Sequence, residues 1–426
     1  MLYTLAVFIL TLTLVMLRPK RVTEWMAAAL GGFLMLIGGR VSLEEAAHTL
    51  AASWNVFGFF LGLMSISALA DAAGFFEWAA FTAARHSSGS ARRLFINVFL
   101  VGTIITTFLS NDATALILTP IVFTLVSRLG LSPLPYLYAC IFVADTASLT
   151  LPVSNPVNIL MVDATNQGLA DYLSYLLLPS ILAISLNLAL FLYIFKNAIS
   201  VPLDVERLPH PKQAVRNVAY FRFVVVSLTV IAIAYMLVSL LRGPLSFVAI
   251  GGALLLLIGG LMSRQVSLGW LGKEVSWGIF IFIAGMLLVV RGVENAGLTA
   301  ALGRALLTAA GNDPVRAVFF NTFGAAIGSN LINNVPAMLV LISTLKSIPD
   351  LSVAMQQAII YSTILGTDLG PNITIVGSLA KVLWVVILRR RGLEISPLQY
   401  FRTGITVTPW LLLAGAVAIW LRLLLR

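Results

Sequence analysis

Long apolar runs alternate along the chain with short polar spacers. A membrane span needs about 20 mostly apolar residues. Ten runs have the length and character of spans, at 2–17, 23–39, 52–72, 134–164, 171–195, 223–241, 245–262, 275–293, 355–389 and 398–421. Each is expected to be helical, because backbone groups in hydrocarbon must be satisfied within their own segment. Two more apolar stretches, 93–128 and 315–346, are interrupted in the middle by polar residues. These are predicted as re-entrant helical hairpins that enter and return on one side. The pattern predicts an all-α polytopic membrane protein with about ten transmembrane helices plus two hairpins.

Charge orients these spans. With Arg18, Lys20 and Arg21 in the cytoplasm, alternation puts 18 of the 27 Lys and Arg residues inside and eight outside, with Lys381 unassigned. That is the positive-inside bias, and it puts both termini on the periplasmic side of a bacterial inner (plasma) membrane. Reading either interrupted stretch as a single span would invert everything after it.

Composition agrees with lipid as the main solvent. Only 10% of the 426 residues are charged, against about a quarter in a soluble domain, and 59% are hydrophobic. The mean hydropathy is +0.99. The net charge of +10 lies in the spacers between spans rather than along one stripe, so nucleic acid is not an expected partner. The first run has no basic segment before it and no small-residue cleavage signal after it, and is expected to remain as a membrane helix. Cys140, the single cysteine, lies in an apolar run and is read as a small buried hydrophobe. No metal site or other cofactor is expected. The three histidines, His48, His86 and His210, fall in predicted loops, and no linker is long enough for a catalytic or receptor domain.

The chain also repeats itself. At an offset of 223, Ser53 and Trp54 fall on Ser276 and Trp277, Gly62 on Gly285, Asp71 on Glu294, and Gly74 on Gly297. At the same offset Ser110 and Asn111 fall on Asn333 and Asn334, and Asp145 falls on Asp368. Rare polar residues recurring at one offset indicate a true repeat. Each half holds five spans, an odd number, so the copies are inverted, which is the common plan of secondary transporters. The expected division is 1–195 as first repeat, 196–222 as cytoplasmic linker and 223–426 as second repeat.

Four polar clusters sit at membrane depth. Thr106–Thr114 and Gly328–Pro336 read as hairpin tips. Asp145–Asn158 and Gly366–Ser378 read as breaks in long helices. As one helix, residues 355–389 would run about 50 Å, well beyond a hydrocarbon core of about 30 Å. Pro152 and Pro156 cannot both lie inside a continuous helix without cost. Irregular backbone at this depth is tolerated only where it is packed in protein or lines a cavity. Ser110, Asn111 and Asp112, and likewise Asn333 and Asn334, read as N-caps whose half-helix ends present free N–H groups to a polar ligand. Asp112, Asp145 and Asp368 are ionisable groups in an apolar setting, where such groups are usually functional, and are candidate proton carriers. Lys381 is a possible partner for Asp368. Asp71 and Glu294 read as solvated helix ends.

The strings LSNDATALILTPI (109–121), GSNLINNVPAMLVLI (328–342) and GTDLGPNITIVGSLA (366–380) resemble the ArsB-type arsenite/antimonite efflux permeases of the ion transporter superfamily. The likeness extends over nearly the whole chain. It implies efflux of trivalent arsenite or antimonite in exchange for protons, with allowance for a cytoplasmic ATPase subunit. The chain itself has no glycine-rich nucleotide motif ending in lysine. Arsenite at neutral pH is an uncharged trihydroxide, and one cysteine cannot supply a three-thiolate site. The ligand set expected on this basis is an oxygen and amide cage of Ser110, Asn111, Asn155, Asn333, Asn334 and Ser378. A sodium/proton antiporter of the same superfamily, using the same carboxylates, is the alternative.

Overall fold

A computed structural model describes residues 1–17, 19, 22–204, 210–311, 313–348 and 350–425. Arg18, Lys20, Arg21, Glu206, Arg207 and Arg426, used above to orient the chain or bound its linker, lie outside the described residues.

The first half comprises α1 (Leu2–Leu17), α2 (Glu24–Ile37), α3 (Leu43–Ala52), α4 (Trp54–Ala72), α5 (Phe75–Arg85), α6 (Ala91–Phe108), α7 (Thr119–Arg128), α8 (Pro133–Thr146), α9 (Pro156–Thr165) and α10 (Leu169–Ile194). The second half comprises α11 (Val218–Leu240), α12 (Leu245–Met262), α13 (Leu268–Glu274), α14 (Trp277–Asn295), α15 (Leu298–Ala310), α16 (Pro314–Ile332), α17 (Asn334–Lys346), α18 (Val353–Leu369), α19 (Leu379–Arg390) and α20 (Pro397–Leu424). Each helix of the first half has a counterpart in the second, in the same order. α11 begins at Val218, inside the stretch assigned above to the linker. Among the described residues seven helices, α4, α6, α10, α11, α12, α14 and α20, are long and apolar enough to cross a membrane alone.

Four short helices were not anticipated. α3 carries Glu44, Glu45 and His48, so this histidine is helical rather than in a loop. The Ser42 hydroxyl and the Glu45 carboxylate close a reciprocal cap at the start of α3. α13 has the equivalent position in the second half. α5 and α15 each follow a glycine in the left-handed region, Gly74 at φ +82° and Gly297 at φ +76°. That conformation is nearly free of strain only for glycine, and it turns the chain sharply at the end of α4 and of α14.

The halves interlock by exchanging equivalent partners. α2 packs on α14, and their counterparts α12 and α4 pack on each other. Both crossings are close. A Cβ on Gly62 would stand 2.3 Å from the Ala249 carbonyl carbon, and one on Gly285 would stand 2.4 Å from that of Ala28. Small residues let helix backbones approach to this distance. The same exchange recurs in the aromatic core. Tyr138 of α8 stacks on Tyr400 of α20 with centroids 5.7 Å apart, while Tyr361 of α18 stacks on Tyr175 of α10 at 4.3 Å. Reciprocal swapping of this kind follows when a pseudo-two-fold operation relates the halves.

Both interrupted stretches return to the side they leave. Glu77, before α6, and Arg128, at the end of α7, border one cavity together with Gln213, Arg216, Glu274 and Arg391. In the second half, a Cβ on Gly303 of α15 would come within 2.8 Å of Ile348, just beyond α17. On the other face, Asn55, Asn166, Gln167 and Arg242 gather, and Glu45 meets Arg291 and Asn295. The loops therefore form the two sets that span alternation requires.

Candidate functional site

The first hairpin turns at Leu109–Asp112. Ser110 Oγ accepts the Ala113 N–H at 3.0 Å, and Asn111 Oδ1 accepts the Asp112 N–H at 2.9 Å. The second limb opens with a π-helical segment, Ala113–Leu118, before continuing as α7. Such wide turns are rare and frequently accompany functional sites. Thr114 shares a hydrogen bond with Thr106 at 2.7 Å across the limbs. The second hairpin turns at Asn333, whose φ is +73°. Its Oδ1 accepts the Val335 N–H at 3.4 Å, and its Nδ2 donates to Val376 O at 3.4 Å. Pro336 sits in the first turn of α17, where its missing N–H costs nothing. Asn330 ties this hairpin to the facing helix break. It donates to Gly370 O at 2.7 Å and accepts from Thr374 Oγ1 at 2.7 Å.

The two long helices break at equivalent places. After α8 the chain passes through short 3₁₀ turns at Ala147–Thr150 and Pro152–Ser154 before α9. After α18 it does the same at Gly370–Ile373 and Ile375–Gly377 before α19. Polar side chains of the break satisfy carbonyls both at the neighbouring hairpin tip and within the break itself. Ser154 donates to Thr107 O at 2.7 Å and Asn158 to Ser148 O at 2.9 Å.

Between the hairpin tips and the breaks lies a small space of about 40 Å³, bordered by Asn111, Asp112, Asn155, Asn334, Val335 and Ser378. Phe60 of α4 and Ile279, Phe282 and Ile283 of α14 close it on the apolar side. A buried water needs roughly 10–15 Å³, so the space admits a small polar solute. Four helix starts converge on it: the limb after Asn111, α9, α17 and α19. Each start brings the positive end of a helix dipole, and at the first three starts side-chain caps from Ser110, Asn111, Asn155 and Asn333 take up first-turn N–H groups. The pairs Asn111/Asn334, Asn155/Ser378 and Phe60/Ile283 are related by the repeat offset. Asp112 faces Val335 in that scheme, so Asp112 is where the lining departs from two-fold character. Among the described residues no hydrogen bond or ion pair reaches the Asp112 carboxylate.

Of the six expected substrate ligands, Asn111, Asn155, Asn334 and Ser378 border this space. Ser110 and Asn333 do not; both are buried and hold the tips through caps. Asp145 and Asp368 lie behind it. Lys381 is fully buried and pairs with Asp145, not with Asp368 as its sequence position suggested. Asp368 instead accepts from Asn155 Nδ2 at 2.6 Å and from Asn158 Nδ2 at 3.0 Å. The expectation failed because Asp145 and Lys381 are 236 positions apart. The repeat could have found the pair, since Lys381 stands at the offset of Asn158. Cys140 is fully buried in the hydrophobic core, as expected. No group of His, Cys, Asp and Glu that could hold a metal ion occurs among the described residues.

A larger cavity of about 810 Å³ opens on the linker side, with Asp71, Glu77 and Glu274 opposite Arg128, Arg216 and Arg391. Asp71, expected as a solvated helix end, is in its wall. Leu116, Ile117, Pro120 and Thr124 on the second hairpin limb form another wall. One limb thus borders the central space at its tip and the vestibule along its length.

Helix breaks, re-entrant hairpins and a space between two repeats that is lined in part by amide, hydroxyl and carboxylate groups define a polytopic membrane transporter. The family model for ArsB, the arsenical pump membrane protein, matches residues 3–423, and the chain belongs to that family. The arsenical pump membrane protein of Escherichia coli is 36% identical over 421 residues, covering 98% of each chain. That of Yersinia enterocolitica is 35% identical with the same coverage. Among solved structures, the YdaH transporter of Alcanivorax borkumensis superposes with a TM-score of 0.61 over 98% of this chain and 96% of its own, at 15% identity, and shares the fold.

Proposed function

We propose that the chain exports trivalent arsenite or antimonite across the bacterial inner (plasma) membrane in exchange for inward protons. The observation that carries this reading is the lining of the central space. It combines neutral amides and a hydroxyl from Asn111, Asn155, Asn334 and Ser378 with four helix starts and one carboxylate, Asp112. An uncharged trihydroxide has lone pairs for the N–H donors and hydroxyl protons for the Asp112 carboxylate. A dicarboxylate would be repelled by Asp112. A soft thiolate site is not available, since Cys140 is the single cysteine and lies in the core. Ser110 and Asn333 hold the tips in position.

In this reading residues 1–195 and 223–426 are the inverted repeats, and 196–222 is the cytoplasmic linker. Both termini are periplasmic, and the vestibule opens to the cytoplasm. Substrate enters through the vestibule along the first hairpin. Asp112, Asp145 and Asp368 are the candidate proton-coupling groups, and alternating access moves hairpins and broken helices against α4 and α14. ATP coupling would require a separate cytoplasmic subunit.

The experiment is metalloid uptake by everted membrane vesicles. The reading expects accumulation of arsenite or antimonite on acidification of the lumen, abolished by a protonophore. Sodium-dependent pH recovery without metalloid movement would replace it with the sodium/proton antiporter.

A further inference from the structure

Two buried cages lie behind the central space, one per repeat, at positions related by the offset of 223. In one, Asp145 at the end of α8 meets Lys381 and, through it, Ser378; the Lys381 Nζ stands 3.5 Å from Ser378 Oγ. In the other, Asp368 at the end of α18 meets Asn158 and Asn155, at 3.0 and 2.6 Å. Asp145 corresponds to Asp368, Ser378 to Asn155, and Lys381 to Asn158. The frames match, and their charge does not. One cage contains its own ammonium group. The other holds a fully buried carboxylate with neutral partners, the amides of Asn155 and Asn158 and the Ser148 hydroxyl, and no lysine or arginine pairs with it among the described residues.

We infer that Lys381 is a tethered cation standing where the opposite cage, built on Asp368, Asn155 and Asn158, takes an exchangeable monovalent cation. This deepens the proton-coupled reading above and rests on it for the identity of that cation as a proton. Three observations carry it. A carboxylate at this depth without a counter-ion is strongly disfavoured unless it is protonated or binds a cation. The Oδ1 of Asn158, whose Nδ2 holds Asp368, is buried with no hydrogen-bond partner. It is an acceptor at the position from which Lys381 projects in the sister cage. Tyr172 of α10, the titratable side chain close enough to interact with Asp368, donates its hydroxyl to Leu149 O at 3.1 Å.

The assignment also separates the coupling groups. Asp145 keeps a permanent internal partner and does not exchange. Asp368 does, and Asn155 relays its state, because Asn155 touches Asp368 and also borders the substrate space. Asn158 and Asn155 are positioning residues for the proton on Asp368.

Two measurements on the purified full chain test this. In pH-difference infrared spectra, the wild type should have a protonated-carboxyl band that D368N lacks, and K381N should gain one more from the released Asp145. In proteoliposomes, the proton-to-metalloid ratio read from reversal potentials should fall by one in D368N and rise by one in K381N. Size-exclusion chromatography reports whether each variant is folded, and D368N alone decides the infrared test if K381N is not. A D368N spectrum identical to wild type overturns the inference, as does a wild-type band removed by D145N. Displacement of the wild-type band by sodium supports the cage and overturns the proton as its occupant. A wild type that moves no metalloid refutes the transport reading. The infrared comparison needs no substrate, so it still decides the cage.

Discussion

Asn155 performs three tasks at once: it caps α9, holds Asp368 and borders the substrate space. Asn334 borders the space without a link to either cage. The two side chains therefore make different predictions. Asn334→Ala removes a neutral hydrogen bond worth about 0.5–1.5 kcal/mol, so KM for arsenite should rise roughly two- to tenfold with coupling intact. Asn155→Ala should raise KM and lower the proton-to-metalloid ratio as well. Radiolabelled uptake at graded substrate and pH separates them. The Asp145–Lys381 pair predicts a stability pattern. Asp145→Asn strands a buried ammonium and should cost about 3–5 kcal/mol, whereas joint replacement by Asn and Met should recover most of that loss. Thermal unfolding followed by fluorescence measures both. Cys140→Ser should keep metalloid transport, since the thiol has no place in the site; loss of transport there would bring back a thiolate ligand. Asp112, Asp145 and Asp368 were legible in the sequence because carboxylates are rare in apolar runs. Which partner each one has was not legible, because it depends on contacts between the two halves.

At the scale of elements, spans, hairpins and helix breaks follow from the sequence, where run length, prolines and glycines mark them directly. α3, α5, α13 and α15 do not. They are short, and α3, α5 and α13 mix charged with apolar residues, so no apolar run announces them. The tight crossings are testable at this scale. Gly62→Ala and Gly285→Ala drive a methyl group into the backbone of α12 and α2, and each should lose about 1–3 kcal/mol. Gly251→Ala, where an added Cβ meets nothing within 4 Å, is the control and should leave the melting temperature unchanged. Equal losses at the two glycines would support the pseudo-two-fold relation; a loss at one alone would count against it.

The whole molecule is two copies of one plan, and around the central space the copies differ in charge at two places, Asp112 against Val335 and Lys381 against Asn158. The repeat supplies the symmetric frame needed for alternating access. The departures put one carboxylate in the lining of the central space and leave one cage without an internal cation, the features on which the proposed substrate site and cation exchange rest. The repeat was readable from recurring polar residues, and it already held the second departure. The proposed orientation predicts that a tag at either terminus is labelled from the periplasm, while a cysteine placed at Gln213, in the vestibule wall, is labelled only from the cytoplasm. The central claim is proton-driven metalloid export, and everted vesicles test it most directly. Acidifying the lumen should drive accumulation of arsenite or antimonite above equilibrium, and Asp368→Asn, with one coupled proton fewer, should lower that accumulation. Absence of metalloid uptake under the gradient, with the protein present in the membrane, would contradict the account.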